Sequence, residues 1–164
     1  MISLEPIGRF ITDFSIETGA PRQGRLQPDT KGYIILDEKY IEALRDLEKF
    51  EYIYVLFYFH KAEGWESIVT PPRSGHAHGL FATRTPRRPN PIGLTLIKLD
   101  KIEKNKLFVS GVDAFNNTPV LDIKPFLPDL DYVDTEKNRK AEYELRHHDT
   151  GFVKSDEIKN IIKP

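Results

Sequence analysis

Short apolar runs separated by Gly, Pro and Asn dominate the chain, a pattern that predicts many strands and few helices. Strands are predicted over residues 5–12, 32–36, 52–60, 66–70, 78–83, 92–98 and 106–113. Within 52–60, alternation places Tyr52, Tyr54, Leu56 and Tyr58 on one face and Ile53, Val55, Phe57 and Phe59 on the other. Both faces are apolar, so this strand is expected to be central and covered on both sides. Residues 97–104 and 106–113 read as a hairpin turning at Lys104 and Asn105.

One helix stands out. Tyr40, Ile41, Leu44, Leu47 and Phe50 recur at three- and four-residue spacing behind Asp37, a candidate N-cap. A second, short helix is predicted from Ser155, with Asp156 and Glu157 in its first turn and Ile158, Ile161 and Ile162 on its face. Residues 129–150 are crowded with charge and have no clear period, which leaves either an arm over the domain or a mobile loop. Strands outnumber helices and do not alternate with them, so a doubly wound sheet is disfavoured. The expected fold is all-β: a mostly antiparallel barrel over 1–130 with one inserted helix. A charged arm and short helix of the same domain follow at 131–164.

Composition narrows the class. At 164 residues the chain fits one domain that buries roughly two-thirds of its unfolded surface, and 39 % hydrophobic content with ten Phe and seven Tyr supplies the core. The absence of cysteine excludes disulfides, thiolate metal sites and a Cys nucleophile, and fits a reducing compartment. No apolar run reaches the ~18–20 residues that span a bilayer. The start, MISLEPIGRF, lacks the basic and long apolar stretches of a signal peptide. A soluble cytoplasmic protein with no membrane partner is expected.

Charge changes the picture more. Although 30 % of residues are charged and the net charge is −1, no acidic residue lies between Glu66 and Asp100. That window holds Arg73, Arg84, Arg87, Arg88 and Lys98 together with His76 and His78. A cationic patch so sharply bounded points to a polyanion or an anionic cofactor. The arginines alternate with Pro and Gly, as in a shaped site, whereas a solvated basic loop is more often a Lys-rich run.

Several standard signatures are missing. No two glycines lie two apart, so there is no dinucleotide fingerprint; GxxxxGK, HExxH and GxSxG are absent too. His76 and His78 share one side of a predicted strand but have no third ligand nearby, so no metal site is expected. What remains is a series of short polar clusters beside Pro or Gly: Pro21-Arg22-Gln23, His60-Lys61, Pro71-Pro72-Arg73, FATR ending at Arg84, RPNPIG from Arg88 to Gly93, Asp113 after a strand, and TPVLDIKP from Thr118 to Pro125.

In this order, over about the first 130 residues, these blocks resemble the TsaA-like (YaeB-like) family of tRNA methyltransferases that act on N6-threonylcarbamoyladenosine beside the anticodon. The resemblance implies a single-sheet β-barrel that binds S-adenosylmethionine outside any Rossmann crevice, in a homodimer whose second subunit completes the site. It further implies cofactor contacts at Pro21, Arg22, Gln23, His60, Lys61, Arg84, Leu94, Ser110, Gly111, Val112 and Asp113.

The chemistry of these residues fits such a ligand. Arg22 or Arg84 suits its carboxylate, since a planar guanidinium offers two parallel donors. Asp113 suits the ribose diol or the amine. The backbone of Ser110, Gly111 and Val112 suits the adenine edge. Methylating a ureido nitrogen requires its proton to leave, which calls for a general base. Asp122 is the first candidate and His60 the second, with Lys124 placed to stabilise charge on the ureido oxygen. A surface ion pair is the plain alternative for Asp122 and Lys124, as a core histidine is for His60. Arg73, Arg87 and Arg88 remain for phosphates of the tRNA anticodon stem-loop, and nearby aromatics for a splayed loop base.

Two departures from the family pattern matter. Asn117 replaces the usual Gly in the turn before TPV, a substitution that a left-handed backbone tolerates. Several bacterial relatives continue into a second small domain, so substrate identity is less closely implied than cofactor identity. The rival readings are a non-catalytic RNA-binding barrel that tracks phosphates and a methyltransferase for another RNA base.

Overall fold

The computed structural model describes residues 2–71, 75–145 and 152–153. Its strands are β1 (Gly8–Ile11), β2 (Ala20–Pro21), β3 (Lys31–Leu36), β4 (Tyr52–Tyr58), β5 (Ile68–Val69), β6 (His78–Gly79), β7 (Ile92–Glu103), β8 (Lys106–Ser110), β9 (Pro119–Pro125) and β10 (Phe152–Val153). Six of them close a barrel in the order β1-β3-β8-β7-β4-β9, every neighbouring pair antiparallel. The ring shuts where Gly8 of β1 meets Val120 of β9. The predicted all-β barrel is therefore the fold.

Alternation fills its interior. Phe10, Ile34, Ile53, Val55, Ile97, Leu107, Val109 and Val120 are each at most 1 % exposed, and Phe10 meets the Phe57 ring edge-on with centroids 5.9 Å apart. The hairpin β7–β8 turns at Lys104, whose φ of 55° is left-handed, followed by Asn105. Asn117 also adopts the left-handed conformation (φ 63°), so the turn before β9 survives the loss of glycine.

Several expectations are corrected. The segment behind Asp37 is not an α-helix but two 3-10 helices, Glu38–Leu44 and Leu47–Lys49, separated by Asp46 at φ 69°. Ile41, Leu44, Leu47 and Phe50 repeat every three residues, the period of a 3-10 helix and not of an α-helix. Asp37 stands at the start, but its side chain caps nothing. The strand expected over 78–83 stops at Gly79 and gives way to a 3-10 turn, Leu80–Ala82.

β4 is central but covered fully on one side only. Ile53, Val55 and Phe57 are buried, whereas Tyr58 on the outer face is 42 % exposed. Finally, TPVLDIKP holds a barrel strand, β9, that its prolines and charges concealed. β9 skips Leu121 opposite the Leu56–Phe57 step of β4, so Val120 faces inward while Asp122 and Lys124 lie opposite the outward Leu56 and Tyr54.

Within the described part of the charged stretch at 129–150, two helices, α1 (Pro128–Asp131) and α2 (Glu136–Glu144), are separated by irregular residues 132–135. The helix expected from Ser155 and Arg73 lie outside the described residues.

Candidate functional site

At one end of the barrel, β2, the ends of β4 and β7, and the loops after Leu80 and Val112 enclose a cavity of about 340 Å³. This is the size range of small-molecule sites. Its apolar wall is Phe57, Phe59, Ile92, Leu94 and Phe115; Phe57 and Phe59 meet edge-on at 5.0 Å. Gly93 fixes the Phe57 ring, since a Cβ there would stand 2.3 Å from Phe57 Cζ.

The polar lining begins with Asp113. Its Oδ2 accepts from the Gly24 N–H at 3.0 Å and the Thr95 hydroxyl at 3.2 Å. The Gly24 contact requires glycine: a Cβ would lie 1.6 Å from the Gly111 carbonyl oxygen. Among the described residues, Asp113 Oδ1 is buried with no hydrogen-bond partner. Burial pushes the carboxyl up to about 6, although Gly24, Thr95 and the charge of Arg84 all oppose the rise. A buried acceptor with no donor costs about 1–3 kcal/mol, so its persistence on a cavity wall marks a place where a ligand hydroxyl or amine belongs.

Arg84 Nη1 donates to Gln23 Oε1 at 2.7 Å, and Gln23 Nε2 donates to the Arg22 carbonyl at 2.9 Å. This chain spans two loops of the rim with Arg84 facing a neutral amide. His60 closes the far side at the end of β4, its N–H bonded to the Tyr58 carbonyl at 2.8 Å. Burial first, and then the charge of Lys61, lower its pKa, so the imidazole is neutral at physiological pH.

Eight of the expected cofactor residues thus meet at one cavity: Pro21, Arg22, Gln23, His60, Lys61, Arg84, Leu94 and Asp113. Ser110, Gly111 and Val112 do not line it. The Ser110 hydroxyl donates to Asp100 Oδ2 and accepts from Lys31 Nζ at 2.5 Å on the barrel exterior. The Gly111 N–H donates to the Thr30 carbonyl, and the Val112 carbonyl accepts from the Thr30 hydroxyl, each at 2.9 Å.

Asp122 and Lys124 also stand apart from the cavity, as an ion pair at 2.8 Å with side chains 44 % and 64 % exposed. Arg88 lines the cavity, donates from Nη1 to the Thr83 carbonyl at 2.9 Å and stacks on Phe81. Arg87 keeps Nε and Nη2 buried without hydrogen-bond partners among the described residues. Among the described residues no cluster of His, Cys, Asp and Glu could hold a metal ion.

Residues 9–132 match the family model for the tRNA-methyltransferase O N-terminal domain. The chain belongs to that family. It is 39 % identical over 130 residues to an S-adenosyl-L-methionine-binding protein of Archaeoglobus fulgidus, covering 79 % of this chain and 93 % of that one. It is also 38 % identical over 151 residues to a rat tRNA (adenine(37)-N6)-methyltransferase, covering 88 % of this chain but 34 % of the relative. The chain therefore spans about a third of the mammalian protein. The crystal structure of TrmO from Pseudomonas aeruginosa superposes with a TM-score of 0.70 at 36 % identity, over 84 % of this chain and 62 % of that one.

Sequence reasoning missed Phe57, Phe59 and Phe115 as cavity walls, and Thr95 as a ligand of Asp113. The three rings read as core or loop residues in sequence. Thr95 carried one usable signal: in a β7 of apolar alternation it is a hydroxyl on the buried face, and such a group needs a partner.

Proposed function

We propose that this chain is an S-adenosylmethionine-dependent methyltransferase that modifies N6 of an adenosine beside the anticodon of tRNA, with threonylcarbamoyladenosine as the substrate base. The reading is supported above all by Asp113 Oδ1, an unpartnered buried acceptor on the wall of an aromatic-lined cavity. Its relatives are named as cofactor-binding proteins and tRNA methyltransferases.

The residues present fit the cofactor. Asp113 Oδ1 accepts from the ribose diol or the amine. Phe57, Phe59, Phe115 and Leu94 form the apolar slot for the adenine. Arg22 and Arg84 meet the carboxylate, Arg84 by exchanging Gln23 for it. The bound cofactor supplies a methyl group on a sulfonium, a strong electrophile.

The protein then has to orient the acceptor nitrogen and take its proton. His60 is the base within the cavity, because burial keeps its imidazole neutral and able to accept at neutral pH. Asp122 and Lys124 serve this chemistry only from a second subunit or after the substrate has docked, since their own cavity does not include them. A homodimer in the cytoplasm completes the proposal; among the described residues no helix is long and apolar enough to cross a membrane.

Calorimetric titration with S-adenosylmethionine and S-adenosylhomocysteine, followed by mass spectrometry of nucleosides from treated tRNA, tests the reading. One cofactor per chain and a methylated adenosine derivative are expected. A folded protein that binds neither ligand overturns it.

A further inference from the structure

Beside the cavity, Phe81 is 80 % exposed on a turn that is otherwise held fast. Leu80, directly before it, is buried, and its N–H donates to the Ser67 carbonyl at 2.9 Å. The Leu80 carbonyl accepts from both the N–H and the hydroxyl of Thr83, at 3.1 and 2.8 Å. Arg88 Nη1 ties off the same turn at the Thr83 carbonyl, and the Arg88 guanidinium carbon sits 5.6 Å from the centroid of the Phe81 ring. The turn is thus fixed by hydrogen bonds and by Leu80, while the phenyl ring itself contributes almost no burial. A rigid pedestal presents a large flat apolar face to solvent, with a cation against it.

The surroundings select what that face receives. Thr83, Arg84 and Arg88 line the cavity, so the ring stands at its rim. It lies in the acid-free stretch between Glu66 and Asp100, where nothing on the same segment repels phosphate. Trp65 and Ile68, on either side of Glu66 and Ser67, are 53 % and 59 % exposed. An aromatic plane with adjoining guanidinium charge suits an unpaired base on a phosphate backbone, since every base has a π-face and stacking is tolerant of sequence.

We infer that Phe81, backed by Arg88, is a stacking platform for an unpaired nucleobase at the rim of the cavity. The inference rests on the RNA reading above and adds the surface that holds the loop open. It gives Arg88 a role in stacking in place of a phosphate contact. Neither residue needs to touch the cofactor for this purpose.

The test uses a stem-loop RNA carrying 2-aminopurine in its loop, the same RNA annealed to its complement, and S-adenosylhomocysteine. Phe81→Leu keeps the turn and an apolar side chain but removes the ring. It is expected to weaken stem-loop binding about tenfold and to abolish the fluorescence quenching seen with the parent protein. The salt dependence of binding and the affinity for S-adenosylhomocysteine stay unchanged, and Phe81→Trp restores quenching. Parent-like stem-loop binding by Phe81→Leu overturns the platform while leaving the RNA reading standing. So does an equal loss on the paired RNA, or a change in oligomeric mass that marks the face as a subunit contact. If the parent protein binds no stem-loop even at low salt, the RNA reading fails and the platform falls with it.

Discussion

Two aspartates, Asp100 in β7 and Asp113 in the loop after β8, each accept from a hydroxyl and meet different fates. Asp100 at a bulge of β7 accepts from the Ser110 hydroxyl and pairs with Lys31 Nζ at 3.3 Å, with its side chain 29 % exposed. Asp113, three residues beyond Ser110, accepts from the Thr95 hydroxyl and a backbone N–H and, among the described residues, has no cation in hydrogen-bond reach and one oxygen left over. The first carboxylate is satisfied within the chain and wet. The second is dry and incomplete, and the fold retains it at a cost in stability. A carboxylate beside a hydroxyl is therefore not a signature of function by itself; the unfilled acceptor is.

Exchanging each aspartate for its amide is the sharpest way to break this contrast. Asp113→Asn is expected to weaken S-adenosylhomocysteine binding about a hundredfold, the scale of a buried hydrogen bond to a charged group. The same variant should melt higher than the parent at pH 8. The Asp113 carboxyl is raised from 3.8 to about 6 on folding, so the folded state binds more protons between those values and stability falls as pH rises through that window. Above it the penalty is about 3 kcal/mol, which the amide does not incur. Thermal melts at pH 4 and pH 8 check the sign: the variant's advantage grows with pH.

Acidification is the next largest effect. Cofactor affinity is expected to drop roughly tenfold per pH unit below about 6, as Asp113 is neutralised, while calorimetry from pH 6.5 to 8 shows a plateau. A profile flat down to pH 5 would remove Asp113 from the site. Thr95→Val sharpens the comparison further. It deletes one donor to the buried carboxylate, costs about 1 kcal/mol of stability, and moves the acid limb of cofactor binding to higher pH. The smallest effect belongs to the other aspartate. Asp100→Asn should change stability by about 0.5 kcal/mol, as expected of a solvent-screened pair, and leave S-adenosylhomocysteine affinity at the parent value in the same titration.

The barrel was legible because inward residues such as Ile53, Val55, Ile97 and Val109 alternate without interruption. β9 was not, because a strand that begins and ends in proline and carries Asp122 and Lys124 on its outer face resembles a polar loop. The 3-10 segment was misread because residues three apart satisfy a helical pattern at either period. At the site, the family resemblance implied Arg22, Arg84 and His60, and guanidinium chemistry suited either arginine to a carboxylate. Burial did not show there. The family resemblance picked out Asp113 and passed over Asp100, but nothing in the letters told that one oxygen of Asp113 is buried and unfilled, or that the Phe57 ring, pinned over Gly93, faces a cavity as well as the core.

The seam between β1 and β9 has a kinetic consequence. Gly8 and Arg9 meet Val120 and Pro119, about a hundred residues away, and the ring has no other way to shut. Loop-closure entropy is spent before that contact returns anything, so closure is expected to be late and slow. On the ribosome, the N-terminal strand must wait with one edge bare until β9 has emerged. Edge pairing with another nascent chain is the hazard of that interval, and the shortness of β1, at four residues, limits how much of the edge is offered.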